Sequence, residues 1–168
     1  EVGRPLVFLV NKTVADNLLQ LDLRDRTLYR LDPAKVQKLR LRGWKEALKS
    51  PGVVQLVKKD GIWTVESSPA PLTIDPGRVD QLLNAIAGPR AVKFVPGQTP
   101  EQGFDMNTSP NTLEIMIEAE GQSPITLTLG NETDMGLNYF AWATGLQPTE
   151  VATIPAAVLR PFKEKPES

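Results

Sequence analysis

The side chains that could do chemistry here are acids, bases and aromatics, because the sequence contains neither histidine nor cysteine. That rules out a thiolate nucleophile, a His-based triad, a Cys-type zinc site and an imidazole metal ligand. Glu114, Glu118 and Glu120 could supply the paired carboxylates of a glycoside hydrolase, one protonated as acid and one ionised. In LEIMIEAE, however, they alternate with Leu113, Ile115 and Ile117, so on a strand the acids share the face turned away from the apolar residues. On a wet face nothing apolar raises one pKa above another, and we expect no catalytic residue there. Asn131 to Asp134, NETD, gathers oxygen side chains but lacks the spacing and terminal glutamate of a calcium loop. It reads as a polar turn, and no metal is expected.

Lys35, Lys38, Arg40, Arg42, Lys45 and Lys49, with Trp44 among them, could track a phosphate backbone. Glu46 interrupts the run and the chain carries a net charge of −1, so we read a solvated strand edge and expect no nucleic-acid partner. TLTLGNE lacks the second glycine and the lysine of a phosphate-binding loop, and no cofactor is expected. Trp44, Trp63, Tyr139 and Trp142 could stack on sugars. Trp63, with either Tyr139 or Trp142, fits a core position better, whereas the surroundings of Trp44 are polar. The candidate contact surface is therefore Trp44, Lys45 and Lys49, joined by Phe104, which reads equally well as the hydrophobic anchor of its own loop.

These residues must be positioned by elements, and the best marked is a helix at DPGRVDQLLNAIAG, Asp75 to Gly88. Asp75 can cap the first amides, Pro76 sits where a missing N–H costs nothing, and Gly88-Pro89 ends the run. Val79, Leu82, Leu83 and Ile86 form one stripe at helical spacing, which needs a sheet to cover. Strands are expected at Leu6–Val10, around Leu39 and Leu41, at Val53–Lys58 and Ile62–Glu66 about an Asp60-Gly61 hairpin turn, and at Ala91–Val95. Further strands are expected at 113–118, 125–129, Tyr139–Ala143 and Val151–Ile154. Short helices follow the first strand, at Thr13 to Gln20, and the last, from Pro155 toward Phe162; Asp32-Pro33 opens a single turn. Arg24-Asp25-Arg26 reads as a polar connection held by local ion pairs. Gly43–Gly52 reads as an inserted loop or short helix, and Pro96–Asn111 as a long loop.

The expected fold class is α+β: a mainly antiparallel twisted sheet of hairpins and meanders, one main helix on a face, and short helices at both ends. At 168 residues a single module over 1–162, with a tail at 163–168, can bury about two-thirds of its unfolded surface without staples. Charge is uneven: residues 1–84 carry 14 basic and 10 acidic side chains, residues 85–168 carry 5 and 10. Such a chain could pair head to tail with a copy of itself. Val7, Val10, Val14 and Leu18 share their offsets with Val151, Ile154, Val158 and Phe162. This echo fits one repeat of a tandem array, with residues 1–20 closing the preceding repeat. No apolar run approaches the roughly 18 residues of a membrane span, so no direct membrane contact by this fragment is expected. The start at Glu1, without a basic-then-apolar leader, fits either a soluble chain or a piece of a longer one.

The order VFLVNKTVADNLL, DLRDRTLYRLDPAKV, VVQLVKKDGIWTV, DPGRVDQLLNAI, GFDMNTSPNTLEIMI, TLTLG, YFAWA and VATIPAAVL resembles the bacterial domain-of-unknown-function family numbered forty-three forty. Its most specific pieces are the Arg24-Asp25-Arg26 neighbourhood, Gly61-x-Trp63, Leu129-Gly130 and the helix after Ile154; the Gly43–Gly52 segment departs from the pattern. The resemblance implies an extracytoplasmic segment of a longer membrane-anchored protein, on the outer face of the cell membrane or in the periplasm, often repeated. In some relatives it implies an auxiliary part beside ABC transporters of the gliding-motility type. It implies no catalytic residues. The expectation is a non-catalytic interaction or spacer module whose partners are other copies of the module or transporter components. The alternative is a carbohydrate- or peptide-binding domain using Trp44 and the Pro96–Asn111 loop.

Overall fold

A computed structural model describes residues 24–43, 52–97 and 99–159. Among them, eight strands form one antiparallel sheet: β1 (Val36–Gly43), β2 (Val53–Lys59), β3 (Ile62–Ser67), β4 (Lys93–Pro96), β5 (Leu113–Ala119), β6 (Ile125–Thr133), β7 (Asn138–Ala143) and β8 (Glu150–Pro155). Their order, β3-β2-β1-β5-β6-β7-β8-β4, joins two meanders at the β1–β5 seam and adds β4 beside β8. With the helix α1 (Pro76–Ala85), the architecture is α+β and dominated by the sheet.

Register explains which side is buried. Leu39 lies opposite Leu56 and Ile117, Ile117 opposite Ile125, and the same layer continues through Ile115 and Leu127 to Ala143. All of these are buried, as alternation along each strand requires when one face is dry. Val79, Leu82, Leu83 and Ile86 of the helical stripe belong to the same core. Full burial of each is worth about 1.5–3 kcal/mol, a sizeable share of an ordinary domain's net stability. The cap forms as expected, with the Asp75 carboxylate accepting from the Gly77 amide at 2.8 Å. At the other end, the carbonyls of Ala87 and Pro89 accept from Leu31 and Leu28 at 2.7 and 3.0 Å, so residues 26–31 run alongside the helix exit and seal it.

Other expectations meet mixed outcomes. The β2–β3 hairpin turns at Asp60-Gly61, both with positive φ, as its sequence demands. The Asp32-Pro33 turn is a 3-10 turn over Pro33–Lys35, and the turn after β8 spans Ala156–Leu159. Leu6–Val10, the Thr13–Gln20 helix, most of Gly43–Gly52, Phe162 and the tail lie outside the described residues. NETD is not a turn: Asn131, Glu132 and Thr133 finish β6. A register shift between Leu129 and Glu132 lets the strand run on, and the reversal falls at Asp134 to Leu137. The Arg24 to Arg26 cluster is held by more than local ion pairs. Asp25 faces Arg30 at 3.6 Å, but Arg24 pairs with Glu150 of β8 and stacks 4.2 Å over the Phe94 ring, while Arg26 donates to the Val92 carbonyl at 3.1 Å.

Candidate interaction surface

Two apolar features at the ends of elements, rather than a cluster of reactive groups, stand out among the described residues. The first is a cleft of about 230 Å³ where the N-terminal turn of α1 meets β1 and β2. Leu41, Val54, Leu56, Ile74, Val79 and Leu82 line it, with Leu72, Asp75 and Arg78 also bordering it. The extended run between β3 and α1, which contains Pro69 and Pro71, supplies Leu72, Thr73 and Ile74 to the wall of the cleft. Leu72 is left 42% exposed.

The second is the β6–β7 turn. The Leu137 amide donates to the Asp134 carbonyl at 3.2 Å, and the two central residues, Met135 and Gly136, have φ of 58° and 83°. Positive φ at both centres is the pattern of a type I′ turn, whose first centre favours Asn, Asp or Gly. Methionine there is strained by about 1 kcal/mol or more. It is also fully exposed at 101%, beside Leu137 at 69%. The turn is braced from its base: Asn138 donates to the Asp134 carboxylate at 2.9 Å and Lys93 approaches it at 3.4 Å. The Asn138 bond, helped by Lys93, holds the Asp134 carboxyl below its ordinary range.

The outer face of the sheet is polar and cross-paired. Arg42, Glu114, Thr128 and Trp142 stand side by side on β1, β5, β6 and β7. Lys38 pairs with Glu66 at 3.0 Å, and Trp142 is half-buried with its Nε1 donating to the Gln147 carbonyl at 3.4 Å. Glu118 is exposed on this face as the alternation requires, while Glu120 lies beyond β5. The basic residues of β1 do not mark a sheet edge, contrary to expectation. β1 is interior, paired on both sides, and its Lys38, Arg40 and Arg42 project from the outer face; β3 and β4 are the outermost strands among the described residues.

Of the residues singled out in the sequence, Trp44, Lys45 and Lys49 lie outside the described residues. Phe104 is half-buried and does not join the core cluster. Its loop is pinned by polar groups instead. The Thr112 hydroxyl donates to the Gly103 carbonyl at 2.6 Å, Gln102 accepts from the Thr99 amide at 2.9 Å, and Asn131 donates to the Glu101 carbonyl at 2.9 Å. Among the described residues Trp63 and Tyr139 are the buried aromatics, each tied to an acid: Trp63 Nε1 to Asp80 at 3.1 Å, Tyr139 OH to Glu132 at 2.6 Å. The Met135 tip was not singled out, and the one signal for it is Asp-Met-Gly between two β-rich runs.

Among the described residues no helix is long and apolar enough to cross a membrane, and no group of three acids is gathered as a metal site. No curated protein and no solved structure matches the chain. One family model does, over residues 1–110, a span that takes in α1, β1 to β4 and the cleft but ends before β5. The chain belongs to that family, described as a domain of unknown function, DUF4340.

Proposed function

We propose that this chain is a non-catalytic protein-interaction and spacing module within a longer, membrane-anchored extracytoplasmic protein that serves an ABC transport system. The observation that carries the interaction reading is Met135. An apolar side chain held in a strained backbone conformation and fully in solvent has no use in the fold of its own chain, and strain of this kind concentrates where a partner docks. The spacing role draws on the sheet, whose eight strands at about 4.8 Å make a continuous plate roughly 34 Å across. Family membership supports the extracytoplasmic setting through what the resemblance implies. The helix packed on one sheet face and the short closing turns would make each module a self-contained unit of an array.

The test uses the full-length protein in its own cell, tagged within this domain. It should sediment with membranes, be cut by protease added outside the inner membrane, and give a higher-mass adduct on mild cross-linking that Met135→Asp removes. Recovery in the cytosolic fraction, shielded from protease, would overturn the setting; an adduct pattern indifferent to Met135→Asp would overturn the interaction role.

A further inference from the structure

We propose that the outer face of the sheet binds a neutral, β-1,4-linked glycan laid across the strands, with the Trp142 indole as stacking platform and Thr128, Glu114 and Arg42 gripping its hydroxyls. The four residues form one cross-strand row: Arg42 on β1 stands beside Glu114 on β5, Glu114 beside Thr128 on β6, and Thr128 beside Trp142 on β7. The indole Nε1 donates to the Gln147 carbonyl at 3.4 Å, and the ring keeps part of its surface in solvent. The negative face of an indole attracts the C–H groups on the flat side of a pyranose. A ring already tethered to its own chain does so with little further ordering.

Free hydrogen-bonding capacity singles out this row. Lys38 of β1 is paired with Glu66 at 3.0 Å. Arg42 and Glu114 are register partners of opposite charge, yet neither enters an ion pair or a side-chain hydrogen bond, and among the described residues the Thr128 hydroxyl has no partner either. Arg40, the neighbouring outward residue on β1, adds an Nε that is buried without a partner. A guanidinium offers paired donors and a carboxylate paired acceptors, which match the vicinal hydroxyls of a sugar.

Charge and spacing select the ligand. On β1, β3 and β5 the outer-face charges balance, with Lys38, Arg40 and Arg42 against Glu66, Glu114 and Glu118. A balanced face complements an uncharged ligand and draws neither a polyanion nor a polycation. Strands lie about 4.8 Å apart, so the row from β1 through β5 and β6 to β7 crosses three intervals, roughly 14 Å in all. A pyranose in an extended β-1,4-linked chain advances by nearly the same step. Four consecutive units therefore lie over four consecutive side chains.

The probes are cellotetraose and chitotetraose, both neutral and β-1,4-linked, titrated into the intact chain with tryptophan fluorescence and calorimetry as readouts. At least one should bind, with an affinity that rises from the two-unit to the four-unit sugar, levels off at the six-unit one and is insensitive to added salt. Trp142→Ala should weaken binding on the order of tenfold or more, and Arg42→Ala and Glu114→Gln on the order of threefold to tenfold each. The last two side chains stand outside the core, so they test the row even where Trp142→Ala unfolds the chain. Failure of the intact chain to bind either sugar, binding indifferent to Arg42→Ala and Glu114→Gln, or an affinity that collapses with salt would overturn the proposal. The cross-linked adduct that Met135→Asp removes should persist in Glu114→Gln, so the glycan and protein-interaction readings fail separately. Loss of that adduct in Glu114→Gln, with no sugar bound by the intact chain, would assign the face to a protein instead.

Discussion

The indole Nε1 of Trp63 donates to Asp80 Oδ1 across 3.1 Å, joining β3 to the first turns of α1. Lys58 lies 5.6 Å from the centre of the same ring, and the indole is only 3% exposed. The bond therefore works at the margin of the core, where losing one partner strands the other. Asp80→Ala should cost about 1–2 kcal/mol by leaving the indole N–H unpaired. Thermal unfolding should drop by several degrees, at about 2–4 °C per kcal/mol for a chain of this size. Asp80→Asn, which keeps an acceptor, should recover most of the loss.

Gly130 controls the long loop. A Cβ built there would fall on the Gln102 carbonyl oxygen, although the glycine's own φ is not in the left-handed region. Gly130→Ala therefore tests close approach alone. We expect a loss of about 1–3 kcal/mol by overpacking, with the amides of Thr99 and Thr112 exchanging faster while those of β2 hold. Unchanged exchange at both would show that the loop is not seated on β6.

Tyr29 offers a pH test. Its hydroxyl is buried without a hydrogen-bond partner among the described residues, and burial pushes its pKa well above the ordinary tyrosine value of 10. The sign follows from linkage. A folded-state pKa above the unfolded one contributes stability that is complete below about pH 10 and is lost as pH rises from there toward the folded value. Tyr29→Phe should remove that alkaline loss and leave neutral-pH stability level or up to about 1 kcal/mol higher, since it deletes an unpaired hydroxyl. Phenolate absorbance should then report Tyr139 alone, because the chain has two tyrosines.

Asp134 gives the acid counterpart. Its carboxyl is held below the ordinary value of 3.8, first by Asn138 and then by Lys93. A depressed carboxylate adds stability above its unfolded pKa that disappears as pH falls through the folded one. The amide signals of Asp134 and Asn138 should therefore titrate with a midpoint below 3.8, and Asn138→Ala should move that midpoint up toward 3.8. A midpoint already at the ordinary value would mean that the turn is unbraced.

Local pattern carried some of this structure and not the rest. The α1 stripe, its Asp75 cap and the Asp60-Gly61 hairpin were legible because each is decided within one turn or one pair of strands. The basic run on β1 misled because alternation shows that a strand has a wet face but not who stands beside it; its neighbour β5 comes from far along the chain. NETD misled because its residue types suit a turn, whereas the register shift after Leu129 depends on pairing with β7. Met135 was invisible for a related reason, since neither its exposure nor its positive φ follows from an isolated methionine before a glycine.

The most direct measurement is methyl NMR of the intact chain labelled at methionine, which has three such residues: Met106, Met116 and Met135. At low concentration Met135 should give the sharpest signal, at a position typical of free solvent. When membranes of the parent cell, stripped of this protein, are added, that signal should shift and broaden while Met106 and Met116 stay in place. Three signals that hold still throughout the titration, or a Met135 signal already broad and upfield in the dilute chain, would contradict a tip kept in solvent for a partner.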